Sequence, residues 1–187
     1  MNTPWGYSDF QQTLTRGLTI VGTPSHGGAM VSRGFAKNHL TNAARNRAYR
    51  FGDYYAYEED CDIAIVMYEL PEYFSSEDRT SEEIIQSAIK SLSMWYADYL
   101  LELGVEPSPE QYEEYKANRL EEEMRKNHDP DLIIACWGDW HTKISGVNQV
   151  ATADGKVYHI TKNSSDYAHG IRPFLLSNCE VIREVIQ

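Results

Sequence analysis

Hydrophobic and polar positions divide the chain into a small set of predicted elements. Leu18-Thr19-Ile20-Val21-Gly22 is a short apolar run whose β-branched residues suit a pleated strand. Pro24 and the Gly27-Gly28 pair break the pattern, which predicts a tight loop over Thr23 to Gly28. Ala29-Met30-Val31 then reads as the returning arm of a hairpin. Ile63-Ala64-Ile65-Val66-Met67-Tyr68 is nearly continuous in apolar character and reads as a central strand that Pro71 stops. Leu132-Ile133-Ile134-Ala135-Cys136 reads the same way. Val147 to Ala153 and Lys156 to Thr161 flank Asp154-Gly155, a dipeptide that predicts a hairpin.

Helical spacing is clearest from Ser81 to Leu103. Thr80 caps it, Glu83 completes a capping box, and Ile85, Ile89, Leu92, Tyr96, Tyr99 and Leu103 recur at intervals of three and four before Gly104 stops the run. Ser108-Pro109-Glu110 opens a second helix that runs to Lys126 with a thin apolar face of Tyr112, Tyr115, Leu120 and Met124. The short connection predicts an antiparallel helical hairpin over 80–127. Gln11 to Arg16 reads as a helical turn, and Lys37 to Arg50 as a surface helix. The tail, with Val181, Ile182, Val185 and Ile186 apolar, reads as a short amphipathic helix. The expected fold is one α+β domain over 1–187. It has an antiparallel β-sheet, an acidic helical hairpin inserted between the third and fourth strands, and a C-terminal helix.

Charge adds a second pattern. The net charge is −11, unevenly spread: residues 1–52 hold one acid and six bases, residues 53–131 hold 22 acids and six bases, and the remainder is balanced. Such segregation bears on partners and solubility rather than on fold. Cys61, Cys136 and Cys179 lie far apart with no CxxC pair, so they read as reduced thiols in a cytoplasmic protein. No apolar run approaches membrane-spanning length, and no membrane role is expected.

Three polar turns carry the candidate chemistry: Thr23 to Gly28, Tyr57 to Asp62, and Trp137-Gly138-Asp139-Trp140-His141. In an enzyme, His26, Glu59, Asp60 and His141 would be the catalytic candidates around one pocket. Ser25-His26 is not a nucleophile pair by position, since neighbours in a strand face opposite ways and no G-x-S-x-G elbow is present. If Tyr57 to Asp62 enters the strand at 63–68, then Glu58, Asp60 and Asp62 share one face, where they can hold Mg²⁺ or shift one another's pKa. No local metal-ligand spacing such as His-x-x-x-His accompanies them, so no metal or other cofactor is expected. Arg33, Lys37, Arg45, Arg47 and Arg50 are the candidates for tracking phosphates. Glu113, Glu114, Glu121, Glu122 and Glu123, with Tyr112 and Tyr115, are the candidates for binding a partner with a basic surface.

Thr3-Pro4-Trp5-Gly6, Thr23-Pro24-Ser25-His26-Gly27-Gly28, Tyr57-Glu58-Glu59-Asp60-Cys61 and Trp137-Gly138-Asp139-Trp140-His141 together resemble an uncharacterised domain family carried by phages, plasmids and other mobile elements. The helical hairpin looks like an addition to it. The resemblance implies a mobile-element context and carries no catalytic residues with it. Combined with the acidic middle of the chain, it leads to the expectation of a viral or mobile-element accessory protein. Such a protein would bind and inhibit a host nucleic-acid-handling defence protein, such as a CRISPR or restriction effector. A small hydrolase built on the three turns is the alternative, and a nucleic-acid-binding factor using residues 33–50 is a third.

Overall fold

The computed structural model describes residues 1–168 and 172–185. The fold is α+β, and the chain expected as one domain divides into two compact units, Met1–Tyr112 and Glu113–Gln187.

The first unit opens with a two-residue hairpin, β1 (Asn2–Thr3) and β2 (Gly6–Tyr7). A five-stranded antiparallel sheet follows. Its strands are β3 (Phe10–Thr15), β4 (Leu18–Gly22), β5 (Gly27–Ser32), β6 (Tyr49–Phe51) and β7 (Tyr54–Glu58), in the spatial order β3-β4-β5-β7-β6. The hairpin expected around Thr23 to Gly28 is therefore present, with Gly22 paired to Gly27. Gln11 to Arg16 is not a helical turn, because its residues pair with β4 as an edge strand. The segment 37–50 is not one helix either. It forms α1 (Arg33–His39), α2 (Asn42–Arg47) and the start of β6, with Ser32 and Thr41 capping the two short helices through their hydroxyls.

The largest correction concerns Ile63–Tyr68, which is a helix, α3 (Ile63–Glu69). A six-residue apolar run suits a buried helix and a buried strand equally. Here the strand has already ended at Glu58, a turn reverses the chain, and α3 packs against β5 and β7 on one side and against α4 (Ser81–Trp95) on the other. With neighbours on two sides, the run needs no polar face.

The capping box at Thr80 and Glu83 forms as expected. The helix it starts breaks at Tyr96, whose φ of −139° and ψ of 44° are not helical, and resumes as α5 (Ala97–Glu102). Its buried face runs through Ile84, Ala88 and Leu92, one position off the expected Ile85-Ile89 stripe. The helix α4 is thus a core helix of the first unit, not one arm of an appended hairpin. The other expected arm, α6 (Pro109–Lys126), buries only Gln111 in its first turn.

Two clusters show what the sheet separates. On one face Leu18, Ala29, Val31 and Tyr57 pack with Ile65, Leu92, Tyr99 and Leu100 from the helices. On the other, Val21, Met30 and Ala56 are covered by Met1 and Trp5 of the N-terminal hairpin and by Phe51 and Tyr54. The central strand β5 is covered on both faces and is buried from Gly27 to Val31.

The second unit holds a four-stranded antiparallel sheet of β8 (Ile133–Trp137), β9 (Val147–Thr152), β10 (Val157–Thr161) and β11 (Val181–Glu184), in the order β11-β10-β9-β8. Two short helices, α7 (Asp139–Thr142) and α8 (Lys162–Ala168), accompany it. Asp154-Gly155 makes the β9–β10 turn as expected, with Gly155 at φ 88°. The tail is not helical: Val181–Glu184 pairs with β10, and Ile186 lies outside the described residues. A strand partner was available on β10's free side, and pairing satisfies backbone groups that a one-turn terminal helix would leave open.

Candidate functional site

Backbone pairing brings two of the three polar turns together. Gly28 pairs with Glu58 across β5 and β7, and the Glu59 N–H donates to the Gly27 carbonyl at 3.1 Å. The loop before β5 is fixed by Thr23, not by the Ser25 and His26 side chains. The Thr23 hydroxyl accepts from the His26 N–H at 3.1 Å and donates to the His26 carbonyl at 2.7 Å. His26 Nδ1 thereby lies 3.7 Å from Glu58 Oε1.

Both glycines are required by close approach. A Cβ on Gly28 (φ +150°) would lie 2.0 Å from the Tyr57 carbonyl oxygen and 2.8 Å from the Trp5 ring. One on Gly27 would lie 2.6 Å from the Val21 carbonyl oxygen and 2.6 Å from a Glu59 carboxylate oxygen. The glycine pair thus lets the Trp5 ring approach the strand at Gly28 and the Glu59 carboxylate approach it at Gly27.

The turn from Glu58 to Asp62 is internally wired. Glu58 Oε2 accepts from the Asp60 N–H at 2.9 Å, Asp62 accepts from the Glu58 N–H at 3.4 Å, and the Tyr96 hydroxyl donates to Asp62. The Cys61 thiol donates to Asp62 at 3.4 Å. Burial, then the Asp62 charge, pushes that thiol up to about 11. Burial and the same carboxylate push the Tyr96 hydroxyl above its usual range. The break between α4 and α5 places Tyr96 for this contact. The other oxygen of Glu58, Oε1, is buried and has no hydrogen-bond partner.

Glu58 and Asp62 also line an open cavity of about 360 Å³, together with Pro4, Trp5, Tyr49 and Ala56. Its floor is the sheet face that carries Ala56. Segments Thr3-Gly6, Thr23-Gly28 and Tyr57-Cys61 therefore meet in one region. Sequence reasoning singled out His26, Glu59 and Asp60, which adjoin Glu58 but do not line the cavity, and missed Trp5 and Tyr49 as its walls. The signal for Trp5 lay in Gly28, whose missing side chain makes room for the ring. The strand-face grouping of Glu58, Asp60 and Asp62 is corrected, because Glu58 ends β7 and Asp60 and Asp62 lie on the turn that follows.

His141 belongs to the second unit, where its ring stacks on Trp137 at 5.6 Å. Asp139 there receives the Gly146 N–H at 3.4 Å and pairs with Lys162 at 3.4 Å. Those contacts hold its carboxyl below the usual range. Trp140 is exposed rather than packed.

The basic candidates divide. Arg45 donates to the carbonyls of Ala36 and Leu40 and to Asn42. Arg47 pairs with Asp98 at 3.0 Å and Glu102 at 2.9 Å and lies over the Tyr99 ring. Both are therefore engaged within the protein, and the expectation that they track phosphates is corrected. Arg33, Lys37 and Arg50 are exposed.

On α6, Glu113, Glu114, Glu122 and Glu123 are exposed, and Glu121, Tyr112 and Tyr115 are half-buried. Much of this acidity is neutralised locally. Glu113 pairs with Lys116, Glu121 with Arg125, and Glu122 with both Arg119 and Lys126. Residues 1–112 hold 16 acids and eight bases, whereas residues 113–187 hold 12 and nine. The charge excess therefore belongs to the first unit.

No helix among the described residues is long and apolar enough to cross a membrane. The family described as Domain of unknown function (DUF7007) matches residues 1–129, and the chain belongs to that family. The match takes in the helices from Ser81 to Lys126 and ends before Trp137, which reverses the expected division between shared core and added segment. No curated protein and no solved structure matches the chain.

Proposed function

We propose that this family member acts by binding. It presents the acidic, aromatic cavity of its first unit to a basic surface on a host nucleic-acid-handling protein. The reading is that of a mobile-element accessory protein working in the host cytoplasm against a CRISPR or restriction effector. The observation that carries it is the lining of the cavity, where Trp5 and Tyr49 stand with Glu58 and Asp62 on the unit that holds most of the net negative charge. Aromatic faces and carboxylates together favour Arg and Lys side chains, through cation–π contact and charge-assisted hydrogen bonds. Proteins that handle nucleic acids expose such side chains in their binding channels. The site shifts from α6, favoured by the sequence, to the cavity, because Glu113, Glu121 and Glu122 of α6 are already paired with bases on the same helix.

The test is phage plating on a host with an active CRISPR or restriction system, with and without the protein. Wild type is expected to raise plating efficiency, and Tyr49→Ala combined with Glu58→Gln, both in the cavity lining, to abolish the effect with the fold intact by circular dichroism. Full protection by that double variant would sink the cavity as the contact surface.

A second reading, a hydrolase-like enzyme, is favoured by one observation: His26 stands 3.7 Å from Glu58 with Glu59 beside it. It predicts that His26→Ala alone abolishes function while Tyr49→Ala does not.

A further inference from the structure

Among the described residues, His26, Glu58 and Glu59 form a group whose ligand atoms all lie within 4.8 Å of one another. Two donors on one first-row metal ion sit about 3–4 Å apart, given bond lengths near 2.1 Å. The group is thus within a small side-chain adjustment of that spacing. Its members come from the adjoining ends of two paired strands, His26 just before β5 and Glu58-Glu59 at the end of β7, not from a local sequence motif. Gly28 pairs with Glu58, and Glu59 is bonded through its backbone to Gly27. Their backbone positions are therefore fixed by the sheet, and two of the three side chains are exposed enough to move onto an ion.

A second feature points the same way. Glu58 Oε1, the oxygen that faces His26, is buried and has no hydrogen-bond partner, whereas Oε2 of the same carboxylate is held by the Asp60 N–H. A buried carboxylate oxygen without a hydrogen bond is costly, and a second carboxylate beside it makes it more so. A cation at this point offsets both terms. No lysine or arginine takes that role, since the ion-pair partner of Glu58 is the imidazole of His26.

We infer that His26, Glu58 and Glu59 bind one divalent first-row transition ion. Two hard carboxylates and one imidazole favour manganese or zinc over calcium, which takes oxygen ligands only. Three protein donors leave coordination positions for water or a ligand. The inference does not depend on the protein's acting by binding, and its test uses no biological activity.

Manganese is the suitable probe, because it avoids the thiols of Cys61, Cys136 and Cys179 that zinc would also occupy. Full-length protein is titrated with Mn²⁺ and free ion is read by electron paramagnetic resonance. One equivalent is expected to bind, with pulsed spectra showing nitrogen modulation from one imidazole. Glu59→Gln should weaken binding at least tenfold, and His26→Ala should do so while removing the nitrogen signal. Both residues are exposed, so both variants should keep the wild-type circular dichroism and melting temperature. Absence of saturable binding in wild type, equal binding in both variants, or binding without a nitrogen signal would each overturn the assignment.

Discussion

The turn Glu58–Asp62 and the helix α6 are both dense in carboxylates, yet they hold them in different ways. On α6, Glu113, Glu121 and Glu122 meet lysines and arginines three or four residues away. Each pair there is local, exposed and screened by salt. At the turn, the carboxylates meet backbone N–H groups, a thiol and a tyrosine hydroxyl from the break between α4 and α5. Among the described residues no lysine or arginine pairs with Glu58, and a cavity opens beside it. Acid content in a sequence therefore says little about field until the partners are known. A helix of six acids and four bases is a weaker electrostatic feature than a five-residue turn whose charges are held without counter-cations.

If the turn is part of the folded architecture, its support should be intolerant. Gly28→Ala is the severest test, since the new Cβ would fall 2.0 Å from the Tyr57 carbonyl at a φ of +150°. The pairing of β5 with β7 must shift, and Trp5 with it. The expected loss is about 3 kcal/mol or more, read as a lower urea midpoint or as insoluble protein. A variant as stable as wild type would mean that the strands separate freely here, and that the turn is as loosely held as α6.

The Cys61 thiol gives a chemical measure of the same enclosure. Raised from 9.0 to about 11, chiefly by burial, it carries about 100-fold less thiolate at pH 8 than an ordinary cysteine. In a Cys136→Ser, Cys179→Ser background, iodoacetamide should label it about that much more slowly than in the unfolded chain. The sign for stability follows. A thiol raised in the folded state costs nothing below pH 9 and weakens the fold as pH climbs from 9 through 11. Fast labelling at pH 8 would show that the turn opens.

How much of this was legible in the sequence depends on the range of the cause. The β4–β5 and β9–β10 hairpins and the Thr80 capping box rest on neighbours in the chain, and all three are present. Ile63–Tyr68 was misread because the periodicity of a short run cannot report that α4 covers one side and the sheet the other. The break at Tyr96 was invisible for a related reason, since the hydroxyl's partner lies 34 residues away. The C-terminal strand needed the free edge of β10 to exist first. At the site, His26 and Glu59 were legible by residue type, but their meeting follows from register between β5 and β7. Tyr49 enters only because β6 pairs with β7 beside Ala56.

Tyr96→Phe removes one hydroxyl from the turn and little volume. Asp62 then keeps the Cys61 thiol and loses its strongest donor. A cost of about 1–2 kcal/mol in urea denaturation is expected for a part-buried carboxylate deprived of one bond. The variant should also label more slowly at Cys61, because the Tyr96 hydroxyl lowers that thiol and its loss leaves the Asp62 charge less shared. A stability change without slower labelling would separate the fold from the wiring of the turn.

The smallest effect should come from α6. Glu122 is fully exposed, and the Lys126 ammonium and then the Arg119 guanidinium hold its carboxyl below the usual range. A depressed carboxylate adds stability above its unfolded pKa and loses it as pH falls, yet solvent and salt screen both pairs here. Glu122→Gln should leave the melting temperature within error of wild type at moderate salt. Any small difference seen at low salt should vanish as salt rises toward 1 M, where the screening length is about 3 Å. A clear drop that survives high salt would place Glu122 in packing as well as charge. It would break the contrast with the Glu58–Asp62 turn, since both acidic stretches would then be structural.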